Sequence, residues 1–206
     1  NKGYIQIILK VSRLNIVKEQ QLSEKEIKQI ELRNIKSQKG FKNVDSLLEN
    51  KLFQDKRPAV ALLYAESSIT NADFKKGVEA AATHIDFREY KVSFANAVAL
   101  SSMIKQLDTL NYDAIAIVRG GGSGIEKLDE IEVVEALTNL NTAWIYGVGH
   151  EKENLFIRNI ADKVIPIPFA VGTYFRDTVN AVVEKKAKSK AVLVEEIKKQ
   201  FTKQIE

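Results

Sequence analysis

Cysteine is missing from all 206 residues, which removes disulfides, thiolate metal sites, iron–sulfur clusters and cysteine nucleophiles together. Histidine is nearly as scarce. With only His84 and His150, no metal site can be assembled from several imidazoles, so any bound cation would rest on carboxylates and water. Apolar runs such as 59–65 stop well short of the ~18 residues of a membrane span. No basic-then-apolar leader opens the sequence, and a cytoplasmic location is expected. Net charge is small: 31 Lys and Arg against 27 Asp and Glu give +4. A pI near 9.0 leans toward polyanionic partners such as nucleic acid without deciding for one. The rest, 45% hydrophobic and 28% charged, is the composition of a globular chain rather than a disordered or collagen-like one. At about 150 residues per domain, this length predicts one sizeable core with an appendage.

Along the chain, Ile5, Ile7, Leu9 and Val11 alternate like a half-buried strand. A strand standing alone at 4–12 implies a sheet or a docking surface elsewhere. Ser23 and Glu26 form a capping-box pair that opens a helix ending near Gly40, and a second short helix is expected over 44–53. The pattern changes at Lys56-Arg57-Pro58. Strands are predicted over 59–65, 89–94, 114–118 and 143–148, with a short edge strand at 164–168; helices are predicted over 72–83, 97–110 and 126–140. Such alternation predicts an α/β fold, a mostly parallel doubly wound sheet with flanking helices. An N-terminal strand and helical arm precede it. Beyond Gly172 no glycine or proline interrupts the chain, and Val179, Val183, Ala187, Ala191, Val194, Ile197, Phe201 and Ile205 recur at steps of three or four. One long C-terminal helix follows, with lysines such as Lys185, Lys188, Lys198 and Lys203 on its other faces. The expected domains are 1–56, 57–173 and 174–206.

Glycine is concentrated where a parallel sheet places ligands. Gly120, Gly121, Gly122, Gly124, Gly147 and Gly149 are six of the ten glycines, and they end or follow two predicted strands. Consecutive glycines there let backbone N–H groups converge on an anion, and the next helix adds its N-terminal dipole. Arg119-Gly-Gly-Gly-Ser123 therefore reads as a phosphate cradle, with Arg119 as a two-pronged donor and Ser123 as a cap or hydroxyl ligand. A tight turn beside a surface arginine is the competing explanation. A dinucleotide fingerprint fails, because its third glycine would fall on Ile125. His150 follows the neighbouring strand and suits proton transfer near neutrality, with Glu153 three residues on to orient it. Asp73 lies after the first strand of the α/β unit, either as a site acid or as an ordinary first-turn helix aspartate. His84, at a predicted helix end, reads as structural. An acid, an arginine, an anion nest and a histidine on one sheet edge form the inventory of a phosphodiester-cleaving site.

On these residues the sequence resembles the large subunit of exonuclease VII, a bacterial single-strand DNA nuclease. Arg119-Gly-Gly-Gly-Ser123, Gly149-His150-Glu151, Ala161-Asp162 followed by Pro166-x-Pro168, the phrase Leu52-Phe53-x-x-Lys56-Arg57-Pro58, and the placement of Asp73 carry the likeness. The resemblance implies an N-terminal OB-fold whose last strand is the segment at 4–12, and a C-terminal helical, coiled-coil region that binds several copies of a small subunit. It implies hydrolysis of single-stranded DNA to short 5′-phosphorylated oligonucleotides, with no obligatory divalent metal. Under it the catalytic residues are Asp73, Arg119, His150 and Glu153. Gly120, Gly121, Gly122 and Ser123 bind phosphate, and Glu151 and Asp162 are candidate substrate contacts.

The sequence departs from that family in three places. The family's His-Glu-Thr-Asp is His150-Glu151-Lys152-Glu153 here, its polar stretch after the triple glycine is Gly124-Ile-Glu-Lys-Leu-Asp-Glu-Ile, and its Arg-Ala-Pro-Thr-Pro is Val164-Ile-Pro-Ile-Pro168. Two other readings stay open: a single-strand-binding or assembly module with weakened catalysis, and a nucleotide- or sugar-phosphate-binding enzyme on the same plan. A magnesium ion held between Asp73 and Glu153 also stays open.

Overall fold

The computed structural model describes residues 22–66, 70–120, 124–149 and 155–205. The strand expected at 4–12 lies outside them. Helix α1 (Glu24–Lys39) starts where the sequence predicts: Ser23 accepts from the Glu26 amide and Glu26 accepts from the Ser23 amide at 2.7 Å, and Gly40 closes the helix at φ 82°. Helix α2 (Val44–Phe53) is capped by Asn43, whose side chain accepts from the Ser46 amide.

Five parallel strands follow: β1 (Ala59–Ala65), β2 (Asp86–Val92), β3 (Ala114–Arg119), β4 (Ala143–Val148) and the two-residue β5 (Lys163–Val164). Their order is β2-β1-β3-β4-β5. Between β1 and β3 the winding direction reverses, which is the switch point where such sheets bind ligands at their carboxyl ends. β3 and β4 are buried throughout, as a sheet covered on both faces demands. Alternate residues feed two cores. Leu63, Ile117, Tyr146 and Val148 face α1, α4 (Ala97–Asp108) and α5 (Ile131–Asn139). Leu62, Tyr64, Val118 and Ile145 face α2, α3 (Thr70–Val78) and the long α6 (Pro168–Ile205).

Two predicted helices divide. The 72–83 segment is α3 followed by a 3-10 turn at Glu79–His84, because Glu79 takes a left-handed φ of 48°. The 126–140 segment is a 3-10 turn at Ile125–Asp129 and then α5, broken where Glu130 goes extended. β2 starts three residues earlier than its alternation suggests, and Phe94 packs in the core beyond its end. The 164–168 strand shrinks to β5, since Pro168 opens α6, a position where a missing N–H costs nothing.

The backbones of α3 and α6 touch. A Cβ at Gly77 would overlap the Phe169 carbonyl, and one at Gly172 would overlap that of Phe74. Gly147 serves a similar purpose inside β4, where a Cβ would press on Val171 of α6. The N-terminal arm is tied down electrostatically. Asp162 pairs with Lys36 at 2.6 Å, both side chains essentially inaccessible, and also accepts from the Lys42 and Trp144 amides. Asp45 of α2 accepts from Lys163 and from the Tyr174 hydroxyl. Burial pulls its carboxyl up, but these two donors outweigh that and hold it below the usual range.

α6 packs through Val171, Phe175, Val179 and Val182 and then leaves the sheet. Val192, Leu193, Val194, Ile197 and Phe201 along its distal half are exposed. Among the described residues no helix is long and apolar enough to cross a membrane.

Candidate active site

Each strand of the parallel sheet points its carboxyl end to the same edge, and the exits of β1, β3 and β4 are adjacent there. β3 ends on Arg119, whose register partner is Val148. One step further, the Gly149 amide donates to the Arg119 carbonyl at 3.0 Å. The backbone leading into His150 is thereby fastened to the backbone leading into the glycine run.

Arg119 is not a surface cation. It is 9% exposed, and its guanidinium carbon lies 5.6 Å from the centroid of the buried Phe94 ring. Burial within cation–π reach of an aromatic ring lowers the entropy lost when the fork grips an anion. Gly124, at φ 82°, leaves room beside it: a Cβ there would sit 4.0 Å from Arg119 Nη1 and 3.7 Å from Ala95 Cβ.

The segment after His150 is tied to the same loop at its other end. Asp129, closing the 3-10 turn that follows Gly124, accepts from the Phe156 amide at 2.7 Å and from the Ile157 amide at 3.0 Å. It caps the 3-10 turn at Phe156–Ile160, whose own N-cap residue, Leu155, gives no side-chain cap. Both landings of the 150–154 segment are thus held by the β3 exit, Gly149 by Arg119 and residues 156–157 by Asp129. Neither Phe94 nor Asp129 stood out in the sequence. Their importance comes from pairings distant along the chain, which no local spacing encodes.

Asp73 sits exposed in the first turn of α3, at the same carboxyl edge. It is one helical turn before Gly77, the α6 contact, so it shares that flank of α3. Asn71 and Lys75 line the opposite flank and bind Glu89 of β2. Asp73 and Arg119 therefore approach the edge from opposite faces of the sheet, and a ligand that meets both must lie across the top of β1 and β3. Gly120 is half-buried beside Arg119. Gly121, Gly122, Ser123, His150, Glu151 and Glu153 lie outside the described residues.

Asp162 is not brought to this edge. It precedes β5 and binds the amide of Trp144 near the start of β4, at the amino-terminal edge, where its carboxylate is enclosed by Lys36 and two amides. His84 ends its 3-10 turn at that same distant edge, just before β2. Among the described residues no cluster of three His, Asp or Glu side chains could hold a metal ion.

The profile of the family described as exonuclease VII, large subunit, matches residues 48–206. The exodeoxyribonuclease 7 large subunit of Oceanobacillus iheyensis is 40% identical over 77 residues, which is 36% of this chain and 17% of the relative. That of Staphylococcus saprophyticus is 47% identical over 62 residues, 29% of this chain and 14% of the relative. The matched stretches thus cover far less than two thirds of either relative. With the profile running from the second helix to the C-terminal end and taking in every strand of the sheet, the chain belongs to the exonuclease VII large-subunit family.

Proposed function

We propose that the carboxyl-edge crevice hydrolyses phosphodiester bonds of single-stranded DNA, releasing short 5′-phosphorylated oligonucleotides. The observation that carries this reading is the nearly buried Arg119, within cation–π reach of Phe94 and joined through its own carbonyl to Gly149. It pairs a preorganised cation for a phosphate with the residue next to His150.

In this reading Arg119 and the amides of Gly120, Gly121 and Gly122, with Ser123, take the non-bridging phosphoryl oxygens. Water attacks phosphorus, its proton passes to the neutral His150 imidazole, and the P–O3′ bond breaks. The departing O3′ takes a proton from solvent, the His150 imidazolium returns its proton to solvent, and the phosphate stays on the 5′ side of the next nucleotide. Asp73 and Glu153 position the water or the imidazole, and Glu151 is a substrate contact. Asp162 serves the framework rather than the substrate. No divalent ion is obligatory; a magnesium ion between Asp73 and Glu153 would add charge neutralisation when bound.

Charge stabilisation by a preorganised donor is worth ~10²–10³ in rate, and proton transfer ~10² or more. Arg119→Ala should therefore depress the cleavage rate about a hundredfold or more while changing single-strand affinity only a few-fold. Equal losses of rate and affinity would mean that Arg119 merely binds DNA. The distal half of α6, with its exposed Val194, Ile197 and Phe201, supports a second part of the proposal, that this helix takes up helices of several small subunits. Co-purification lost on Ile197→Glu, with the fold intact, tests that part.

A further inference from the structure

We infer that the protein carries a second phosphate-binding site at the edge of the sheet opposite the glycine crevice. A cavity of about 200 Å³ opens there, where α6 passes the start of β1 and the end of the Glu79–His84 turn. Lys56, Arg57, His84 and Lys186 line it, above an apolar floor that includes Leu52 and Val182. Asp55 is the one acidic residue in the lining. Three permanent cations against one carboxylate leave a local charge of +2 with His84 neutral.

Two of the three cations are held in place. The Arg57 guanidinium donates to the Ile85 carbonyl at 3.2 Å, which turns it along the cavity wall beside His84. Lys186 reaches back from α6 to Asp55 and lies over the Phe53 ring. Two backbone segments distant in sequence, the α2–β1 connection and α6, thus converge their positive groups on one concavity. Lys56-Arg57-Pro58, the phrase at which the sequence changes character, supplies two of them.

Size and polarity select the ligand class. The volume is below the ~300–1,000 Å³ typical of pockets for drug-sized molecules, so it suits a single small anionic head group. A guanidinium, two ammonium groups and an imidazole are the donors that phosphate oxygens attract. The apolar floor accommodates the carbon skeleton attached to the phosphate. The ligand is therefore a phosphate group, whether free, on a mononucleotide, or at the end of a strand.

The test uses the two histidines of this chain, His84 in the cavity lining and His150 next in sequence to Gly149. Proton NMR of the 206-residue chain follows the His84 and His150 imidazole signals, assigned with His84→Gln and His150→Gln. Titrants are inorganic phosphate, thymidine monophosphate, a 5′-phosphorylated oligothymidylate and its unphosphorylated counterpart. The His84 signal should move saturably with every phosphate monoester, and Lys56→Gln should weaken that response about fivefold, the effect of one exposed ion pair. A response to the phosphorylated strand but not to inorganic phosphate would assign the site to strand ends. An unmoved His84 signal with all four titrants, or a shift unchanged by Lys56→Gln, overturns the site. His150 reports the glycine crevice separately, so failure of one reading leaves the other measurable.

Discussion

Replacing Asp129 by alanine tests whether the β3 exit organises the His150 segment. The carboxylate accepts two backbone N–H groups, from Phe156 at 2.7 Å and Ile157 at 3.0 Å, and Ile157 is fully buried. A capping carboxylate is worth about 1–2 kcal/mol, and charge-assisted bonds lie at the upper end of the hydrogen-bond range. Two such bonds, one to an enclosed amide, make the expected loss about 2 kcal/mol. For a chain of this size that is roughly 4–8 °C in Tm, read by circular dichroism. Asparagine keeps an acceptor oxygen and should recover about half. Nuclease activity measured well below the new Tm should fall more than the folded fraction does, because the segment's landing is loosened. An alanine variant with unchanged Tm would refute the capping argument. One with lowered Tm but full activity would refute the link to catalysis.

Gly77→Ala should destabilise the chain by about 3 kcal/mol in urea denaturation, since its Cβ meets the Phe169 carbonyl and overpacking against backbone outweighs the ~1 kcal/mol gain in helix propensity; a stabilised variant would show that the α3–α6 approach is looser than described. Lys36→Met should cost about 3–5 kcal/mol, because it leaves Asp162 buried without its ammonium partner, and a loss under 1 kcal/mol in the same assay would contradict the pairing. Asp108 gives a pH dependence. Burial raises its carboxyl, but amide donors from Thr142 and Asn141 outweigh that and hold it below the usual value. The unfolded chain then takes up the proton first, so this stabilisation is complete above pH ~4 and is lost as the pH falls through the lower folded value. Asp108→Asn should therefore flatten the acid limb of a pH–stability curve; an unchanged limb would reject the assignment.

Much of this fold is legible in the sequence because it is written locally. The Ser23–Glu26 box and the apolar runs of β1 and β4 each declare their element within a few residues. The structure departs from local pattern where tertiary demands override it. Glu79 turns left-handed and Glu130 goes extended inside segments of sound helical periodicity, and Pro168 opens a helix at the end of the segment expected as an edge strand. The site divides in the same way. Clustered glycines beside an arginine are visible in one dimension. The cation–π contact of Arg119 with Phe94 and the reach of Asp129 to residues 156 and 157 are not. Asp162 looks like a site acid from its motif, yet its partners lie 18 to 126 residues away and draw it into the framework.

The central claim is that the Arg119–His150 edge performs phosphodiester hydrolysis. Its most direct test is cleavage of an end-labelled single-stranded oligonucleotide by this protein together with an exonuclease VII small subunit, in excess chelator, beside His150→Ala. Short 5′-phosphorylated products that disappear in the variant are expected. Full activity in His150→Ala, or intact DNA binding with no product from the parent, would contradict it.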